Sequence, residues 1–365
     1  MEPVNVGVIG AGGIALHHGI AWAKEADRAR IVAVADVSEP RARALSERYA
    51  AGAARLYDGI QPLLEDPAVE AVDICLPHHL HAPAIVAAAR AGKAILCEKP
   101  LCTSLAEAAA IRQALDESGA DFVMAHNQLF QPALQEALRL LGDGALGRLL
   151  YVRSMEVGQQ RAISSGATNP DLAPGEHPMA WRFDPARMGG GEVLDTGWHG
   201  AYRLLALANE RPVSITATLG RLFHHGLSVE DTGSLTVRFA SGTIGEMLTT
   251  WAFGLAEERQ FEAAGEFGAL AGSPTELVHQ LHHMPAAARA AWEPVDTFSD
   301  EIAHFIGVVR KGVPARAGFA EGARVLQLIQ GAYLSAREGR IAYLPDDPLA
   351  APTLDAIDVA EVAPA

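Results

Sequence analysis

Lys99, Asp195 and His199, whose side chains suit proton and charge transfer, sit in two short clusters of this 365-residue chain. Lys99 is the middle residue of Glu98-Lys99-Pro100. The proline restricts Lys99 to an extended backbone and opens a cis bond after it, and either would aim the ammonium in a fixed direction. An ammonium so aimed suits an oxygen that gains negative charge. Asp195 and His199 close the run Gly189-Gly190-Gly191-Glu192-Val193-Leu194-Asp195-Thr196-Gly197-Trp198-His199. Read as one helix entered through flexible glycines, the pair is i and i+4, on one face with Cβ atoms about 6 Å apart. A carboxylate beside an imidazole fixes its tautomer and raises its basicity, as proton abstraction requires. Each cluster also has a plain structural reading: a surface ion pair at Glu98, an N-cap at Asp195 and a satisfied core histidine at His199.

A third cluster decides what those groups could work beside. The apolar run Val4 to Ile9 leads into Gly10-Ala11-Gly12-Gly13-Ile14-Ala15, and Asp36 ends the next apolar run, Ile31 to Ala35. Gly10 permits a tight turn out of a strand, Gly12 lets the backbone approach a pyrophosphate, and small Ala15 lets the following helix pack on the strand. The helix N-terminus then offers N–H groups and a partial positive charge to phosphates. A carboxylate at Asp36 accepts hydrogen bonds from ribose hydroxyls and repels a 2′-phosphate, so the expected cofactor is NAD in preference to NADP.

The elements that must carry these residues follow from periodicity. Strand patterns at 4–10, 30–36, 71–76, 94–98 and 121–125 alternate with helical ones at 14–27, 39–50, 81–91 and 104–118, which predicts a parallel sheet with helices on both faces. Residues 55–58 read as a short edge strand. Beyond a helix near 131–142, alternating runs at 148–158, 213–224, 232–240, 243–251 and 259–265 read as a largely antiparallel sheet. Helical periodicity returns at 297–310 and 320–337. The expected fold class is α/β: an N-terminal Rossmann doubly wound parallel sheet, then an α/β domain with an open, largely antiparallel sheet. The expected boundaries are 1–126 for the NAD-binding domain, 127–345 for a substrate and oligomerisation domain, and 346–365 for a C-terminal tail that wraps the surface or frays.

Bulk properties narrow the partners. A formal charge of −15 with no basic run disfavours nucleic acid and anionic membranes. No run approaches the ~20 apolar residues of a spanning helix. A strand pattern by residue 4 leaves no room for a leader, and three cysteines in mostly apolar surroundings suit reduced thiols, so the expected location is cytoplasmic.

Taken together, the landmarks resemble the glucose–fructose oxidoreductase, inositol dehydrogenase and rhizopine-catabolism (Gfo/Idh/MocA) family. They run from Val8-Ile9-Gly10-Ala11-Gly12-Gly13-Ile14-Ala15 through Val34-Ala35-Asp36, Leu76-Pro77-His78-His79-Leu80-His81, Ala91-Gly92-Lys93 and Glu98-Lys99-Pro100 to the glycine, Asp195 and His199 cluster, with closing helices in Phe298 to Leu344. The resemblance implies catalytic roles for Lys99, Asp195 and His199. It implies cofactor contacts from Gly10, Gly12, Gly13, Ile14, Ala15, Asp36, Pro77, His78, His81, Glu98, Lys99 and Asn127. It also implies a homo-dimer or homo-tetramer joined through the open sheet.

Two segments depart from the family pattern. His126-Asn127-Gln128-Leu129-Phe130 lacks an arginine that many members carry, and Gly200-Ala201-Tyr202-Arg203 follow His199 where an acidic residue is common. Arg203 is thus a candidate either to contact an anion or to pair within the fold. Trp181-Arg182 resembles a segment that closes over the active site, with a packing tryptophan as the alternative. The histidines at 78, 79 and 81 lack cysteine or carboxylate ligands at convincing spacing, so no metal is expected.

The leading expectation is an NAD-dependent dehydrogenase for a secondary alcohol of a sugar, sugar derivative or cyclitol. Two alternatives share the motifs: a glycosidase or lyase that oxidises its sugar transiently, and a non-catalytic nucleotide-binding protein on the same fold.

Overall fold

The computed structural model describes residues 2–160, 180–256 and 259–354. Its chain forms two compact units, one from residues 1–102, 106–130 and 296–322, the other from 103–105, 131–295 and 323–365.

The first unit is built on six strands: β1 (Val4–Ile9), β2 (Ala29–Ala35), β3 (Arg55–Tyr57), β4 (Ala71–Ile74), β5 (Ala94–Glu98) and β6 (Phe122–Ala125). They pair in parallel in the order β3-β2-β1-β4-β5-β6, so the short run at 55–57 is the edge strand its length suggested. The strand order reverses between β1 and β4, the place where open α/β sheets bind ligands at the strands' C-terminal ends. Strand β1 is almost wholly buried, as a strand covered on both faces must be.

Between the strands run α1 (Gly13–Lys24), α2 (Glu39–Tyr49), α3 (Ile60–Leu64), α4 (His81–Arg90) and α5 (Leu105–Ser118). The helix Thr297–Lys311 also packs here, because its apolar stripe of Ile302, Phe305 and Ile306 joins the core of Val4, Val6, Val8, Ala15 and Trp22. Phe305 meets Trp22 edge-on, with ring centroids 6.2 Å apart.

The second unit holds α6 (Pro132–Gly142), β7 (Leu149–Val157), α7 (Gly197–Ala208) and strands β8 (Pro212–Gly220), β9 (Thr232–Phe239), β10 (Ile244–Thr250), β11 (Phe261–Gly265), β12 (Gly268–Gly272), β13 (Glu276–Leu281), β14 (Ala288–Ala291) and β15 (Ala342–Tyr343). They form one sheet, β14-β13-β12-β11-β7-β10-β9-β8-β15, antiparallel throughout except between β7 and β10. In β9 the residues Leu235, Val237 and Phe239 are buried while Ser234 and Thr236 are exposed, the alternation of a sheet covered on one face only.

One expectation about this unit changes. The run at 213–224 stops being strand at Gly220, because the Asp231 carboxylate accepts the main-chain N–H groups of Leu222, Phe223 and His224 at 2.7–2.9 Å and turns the chain into a loop. His224 lies in that loop and is buried. Strands β12 to β14 carry little alternation in their sequence and went unread.

Of the tail, residues up to 354 are described, and α8 (Phe319–Glu338) holds part of them. The Gln327 amide donates to the carbonyls of Pro345, Asp347 and Ala350, and Arg324 donates to Pro345 and Asp346. Among the described residues no helix is long and apolar enough to cross a membrane.

Candidate active site

In the first unit the glycine-rich turn has the geometry its spacing implied. Gly10 stands at φ +93°, and a Cβ there would lie 2.4 Å from the Cys75 carbonyl oxygen, so only glycine fits. Gly12 caps α1 without a side-chain hydrogen bond, and nothing lies within 4 Å of a Cβ built on Gly12 or Gly13. That is an open helix N-terminus with room over its first residues, the chemistry of a pyrophosphate cradle. Ala15 is fully buried beneath it. Asp36 leaves β2 with its carboxylate pinned: one oxygen accepts from Ala11 N at 2.7 Å, the other from Ser38 N at 2.7 Å, with the Arg41 guanidinium 3.4 Å away. A carboxylate has about four acceptor positions, so capacity remains for ribose hydroxyls.

Beside the turn, Pro77 starts a tight turn, His78–Leu80, that leads into α4. His78 is buried and meets His81 edge-on. The two ring nitrogens of His81 lie 2.6 and 2.8 Å from the carbonyl oxygens of Pro100 and Leu76, so the neutral ring donates to one of them and sits against the other. Burial, with the charge of His78, pushes its pKa down to about 4. Lys99 follows the last residue of β5, and the Lys99–Pro100 bond is cis. The Lys99 main-chain N–H donates to the Glu98 carboxylate at 3.0 Å. Asn127 opens the turn after β6 and donates to Thr297 at 3.0 Å.

In the second unit the glycines are packed rather than flexible. A Cβ on Gly189, Gly190 or Gly191 would fall 2.6 Å from Thr103, 2.1 Å from the Tyr333 hydroxyl or 2.3 Å from the Glu230 carbonyl oxygen. The Glu230 carboxylate accepts from the N–H groups of Gly191 and Val193 and from the Tyr333 hydroxyl. Glu192 is fully buried with both carboxyl oxygens 2.6 Å from the Thr249 hydroxyl. Burial, reinforced by the charges of Glu230, Glu156 and Asp195, raises its pKa well above the usual carboxylate range and keeps it neutral.

The helical spacing of Asp195 and His199 is corrected here. Helix α7 begins at Gly197 with Thr196 as its cap, and Asp195 sits in the preceding turn, its N–H donating to Gly191 O at 3.1 Å. A buried Asp195 oxygen accepts from Arg182 Nε at 2.8 Å. Arg182 also lies 4.3 Å over the Trp181 ring, and Trp181 packs on Met188, Leu227, Val229 and Trp251. His199 is half-buried in the first turn of α7, its N–H donating to Thr196 O.

Arg203 is taken up by the fold: it is buried and donates to Ser154, Gln260, Met155 O and, at 2.8 Å, the Glu156 carboxylate. It therefore pairs internally and leaves no guanidinium for an anion. Arg161, Asn169 and Glu176, polar residues of the 150–190 loops, lie outside the described residues.

Glu230, Tyr333 and Thr249 were not visible in advance, since each reaches the glycine cluster from a distant part of the chain. Tyr333→Phe removes the donor to Glu230 and the acceptor of the Gly191 N–H. Because Gly191 and Val193 still donate to Glu230, the lost hydroxyl contacts should cost about 0.5–1.5 kcal/mol of stability by urea denaturation. A change under about 0.5 kcal/mol would show that Tyr333 does not hold this turn.

Comparison with known proteins bears on the same two units. The family described as "Oxidoreductase family, NAD-binding Rossmann fold" matches residues 4–126, and the "GFO/IDH/MocA C-terminal domain" matches 134–271. The chain belongs to the Gfo/Idh/MocA oxidoreductase family.

Inositol 2-dehydrogenase of Rhizobium meliloti (strain 1021) is 27% identical over 347 residues, covering 92% of this chain and 98% of that protein. A D-xylose 1-dehydrogenase (NADP(+)) of Haloferax volcanii is 27% identical over 344 residues, 91% of this chain and 97% of that protein. Levoglucosan dehydrogenase of Pseudarthrobacter phenanthrenivorans is 30% identical over 207 residues, and that match spans 54% of this chain and half (50%) of the relative's length. A solved levoglucosan dehydrogenase in complex with NADH has the same fold, with a TM-score of 0.83 at 23% identity over 94% of this chain and 100% of that one. This Gfo/Idh/MocA member therefore combines the family's nicotinamide-binding Rossmann domain with its mixed-sheet domain.

Proposed function

We propose that the chain is an NAD-dependent dehydrogenase acting on a secondary alcohol of a sugar, sugar derivative or cyclitol, with Lys99, Asp195 and His199 as its catalytic residues. The observation that carries this reading is the open cradle over Gly12 and Gly13 beside a pinned Asp36, in a chain that keeps Glu98-Lys99-Pro100, Asp195 and His199. Gly10, Gly12, Gly13, Ile14 and Ala15 would hold the pyrophosphate, and Asp36 the adenosine ribose. When bound, NAD supplies a hydride acceptor.

The protein's own groups do the rest. His199 removes the hydroxyl proton. Lys99 donates a hydrogen bond to the same oxygen and offsets the negative charge it gains. Asp195, paired to Arg182, holds the polar groups around that oxygen in place. Relatives named for inositol, xylose and levoglucosan support a polyhydroxylated substrate. The same reading gives a homo-dimer or homo-tetramer joined through the exposed sheet face of Ser234 and Thr236. Three free, buried cysteines suit a reducing compartment such as the cytoplasm.

A spectrophotometric screen of sugars and cyclitols with NAD and NADP, followed by absorbance of the reduced cofactor, tests the reading; absence of any turnover defeats it. The cofactor choice has its own test. Asp36→Ser removes the carboxylate that repels a 2′-phosphate and unpairs Arg41, so preference should move toward NADP by about tenfold or more in kcat/KM. An unchanged preference would mean that Asp36 does not discriminate.

A further inference from the structure

Asp73 interrupts the otherwise apolar strand Ala71-Val72-Asp73-Ile74, and His18 stands on the buried side of α1. The cofactor turn uses neither. In the structure they meet: His18 Nδ1 lies 2.9 and 3.0 Å from the two Asp73 carboxylate oxygens, and His18 Nε2 lies 3.0 Å from Glu98 Oε1. Glu98 Oε2 accepts the Lys99 main-chain N–H at 3.0 Å. The chain of contacts therefore runs Asp73, His18, Glu98, Lys99, from one strand end to the next. Asp73 is fixed in turn by Trp22 Nε1 at 2.7 Å and the Cys75 thiol at 3.5 Å.

We propose that His18 is a positioning residue for Lys99, acting through the Glu98 carboxylate. The inference deepens the dehydrogenase reading and rests on it for the role of Lys99. Its geometry stands apart from that reading. A neutral imidazole carries one N–H, yet both ring nitrogens of His18 face carboxylate oxygens within 3.0 Å, and only the imidazolium donates to both.

The surroundings agree. Asp73 faces the ring from β4 and Cys75 from just after it, Glu98 from β5, and Glu301 acts from the helix Thr297–Lys311, whose Phe298 ring lies 5.6 Å away by centroids. His17 is its neighbour on α1, stacked on the same Phe298. Burial alone would favour the neutral ring, but Asp73 and the other partners outweigh it and raise the His18 pKa well above the ordinary value. Cys75 stays a thiol, pushed up to about 12 by burial, and burial raises the Glu301 carboxyl well above the usual carboxylate range. The cation between Asp73 and Glu98 lets two carboxylates stand within one buried space, and it holds Glu98 against the residue that carries the ammonium.

The test uses the full chain without substrate first. In isotope-labelled spectra, one of the fourteen histidines should keep both ring protons at pH values where the ordinary ones have lost one. If none of the fourteen stays doubly protonated above the ordinary value of about 6.5, the proposal is overturned. The second readout is exchange of the Lys99 amide hydrogen, which should accelerate about tenfold or more in His18→Gln. Glu98→Gln serves if that variant does not fold, since its amide oxygen replaces only one of two carboxylate acceptors. Unchanged exchange in the folded variant overturns the proposal. With a substrate in hand, kcat should fall about tenfold with KM for NAD within about threefold; equal losses in both, or in neither, overturn it. If no polyol is turned over by the wild type, the dehydrogenase reading fails while the histidine spectra and the Lys99 exchange still decide on His18.

Discussion

His199→Ala is expected to turn over its polyol about 10²–10⁴-fold more slowly than the wild type while binding NAD within about threefold of it. The asymmetry follows from where the groups sit. The residues expected to hold the cofactor, Gly10 to Ala15 and Asp36, form a turn and a strand end in the first unit, whereas His199 belongs to α7 in the second. Removing the imidazole leaves that cradle untouched and deletes the proton acceptor, so the loss falls on kcat rather than on cofactor affinity. The helix should survive the change: His199 is only half-buried, and α7 is anchored by fully buried Trp198 and Leu204 and by the bond from Trp251 Nε1 to Thr196 Oγ1 at 2.6 Å. A melting temperature close to wild type therefore accompanies the loss. Steady-state rates with the substrate found in the screen, and NAD titrated by fluorescence, measure both quantities. Wild-type turnover in this variant would remove His199 from the mechanism.

What the amino-acid sequence could and could not reveal divides along the range of the interactions. The turn at Gly10 to Ala15 and the carboxylate at Asp36 were legible because their constraint is local: a positive φ, a helix start and a strand end lie within one short segment. The same holds for β1 to β6 and for the helices on either side of them, whose periods of 2 and 3.6 are written in consecutive residues. Legibility failed where a distant residue decides. Asp195 reads as helical by spacing, but Gly191 O, Glu230 and Tyr333 hold the chain in a turn until Gly197. Gly189 to Gly191 read as flexible, yet each is glycine because Thr103, Tyr333 or Glu230 occupies the space a side chain would need. Strands β12 to β14 are short, β12 and β14 are alanine-rich, and only pairing with their neighbours identifies them. Two signals were present and unused: Asp73 inside an apolar strand, and Glu301 on the buried stripe of the helix Thr297–Lys311. An ionisable residue at a position the pattern reserves for apolar ones calls for a partner, and His18 is that partner for Asp73.

Those same buried groups make the fold sensitive to alkali, and stability should fall steadily as pH rises from about 7 to 9. His18 is held as a cation by the folded chain above the value of about 6.5 at which the unfolded chain releases its proton. Its contribution is complete below about pH 6.5 and is lost as pH rises through the folded value. Glu192 and Glu301 act in the same direction for a different reason: burial keeps them protonated, while the unfolded chain ionises them above about pH 4.5. In each case the native state binds more protons than the unfolded one, so the slope of stability against pH is negative.

His81 and His304 oppose this, because burial lowers their folded values, His81 to about 4. Their effect ends once the unfolded histidines are neutral above about pH 6.5, which leaves the decline unopposed. Each proton held only by the native state contributes about 1.4 kcal/mol per pH unit. Urea denaturation across this range should therefore show a clear loss, and Glu301→Gln, which cannot ionise, should reduce the slope by about that amount. Stability that is flat or rising between about pH 7 and 9, or an unchanged slope in Glu301→Gln, would mean that these groups are not protonated in the folded protein. Part of the sensitivity is a consequence of how the Lys99 segment is held: a buried cation between Asp73 and Glu98 orders the strand ends only while its proton stays.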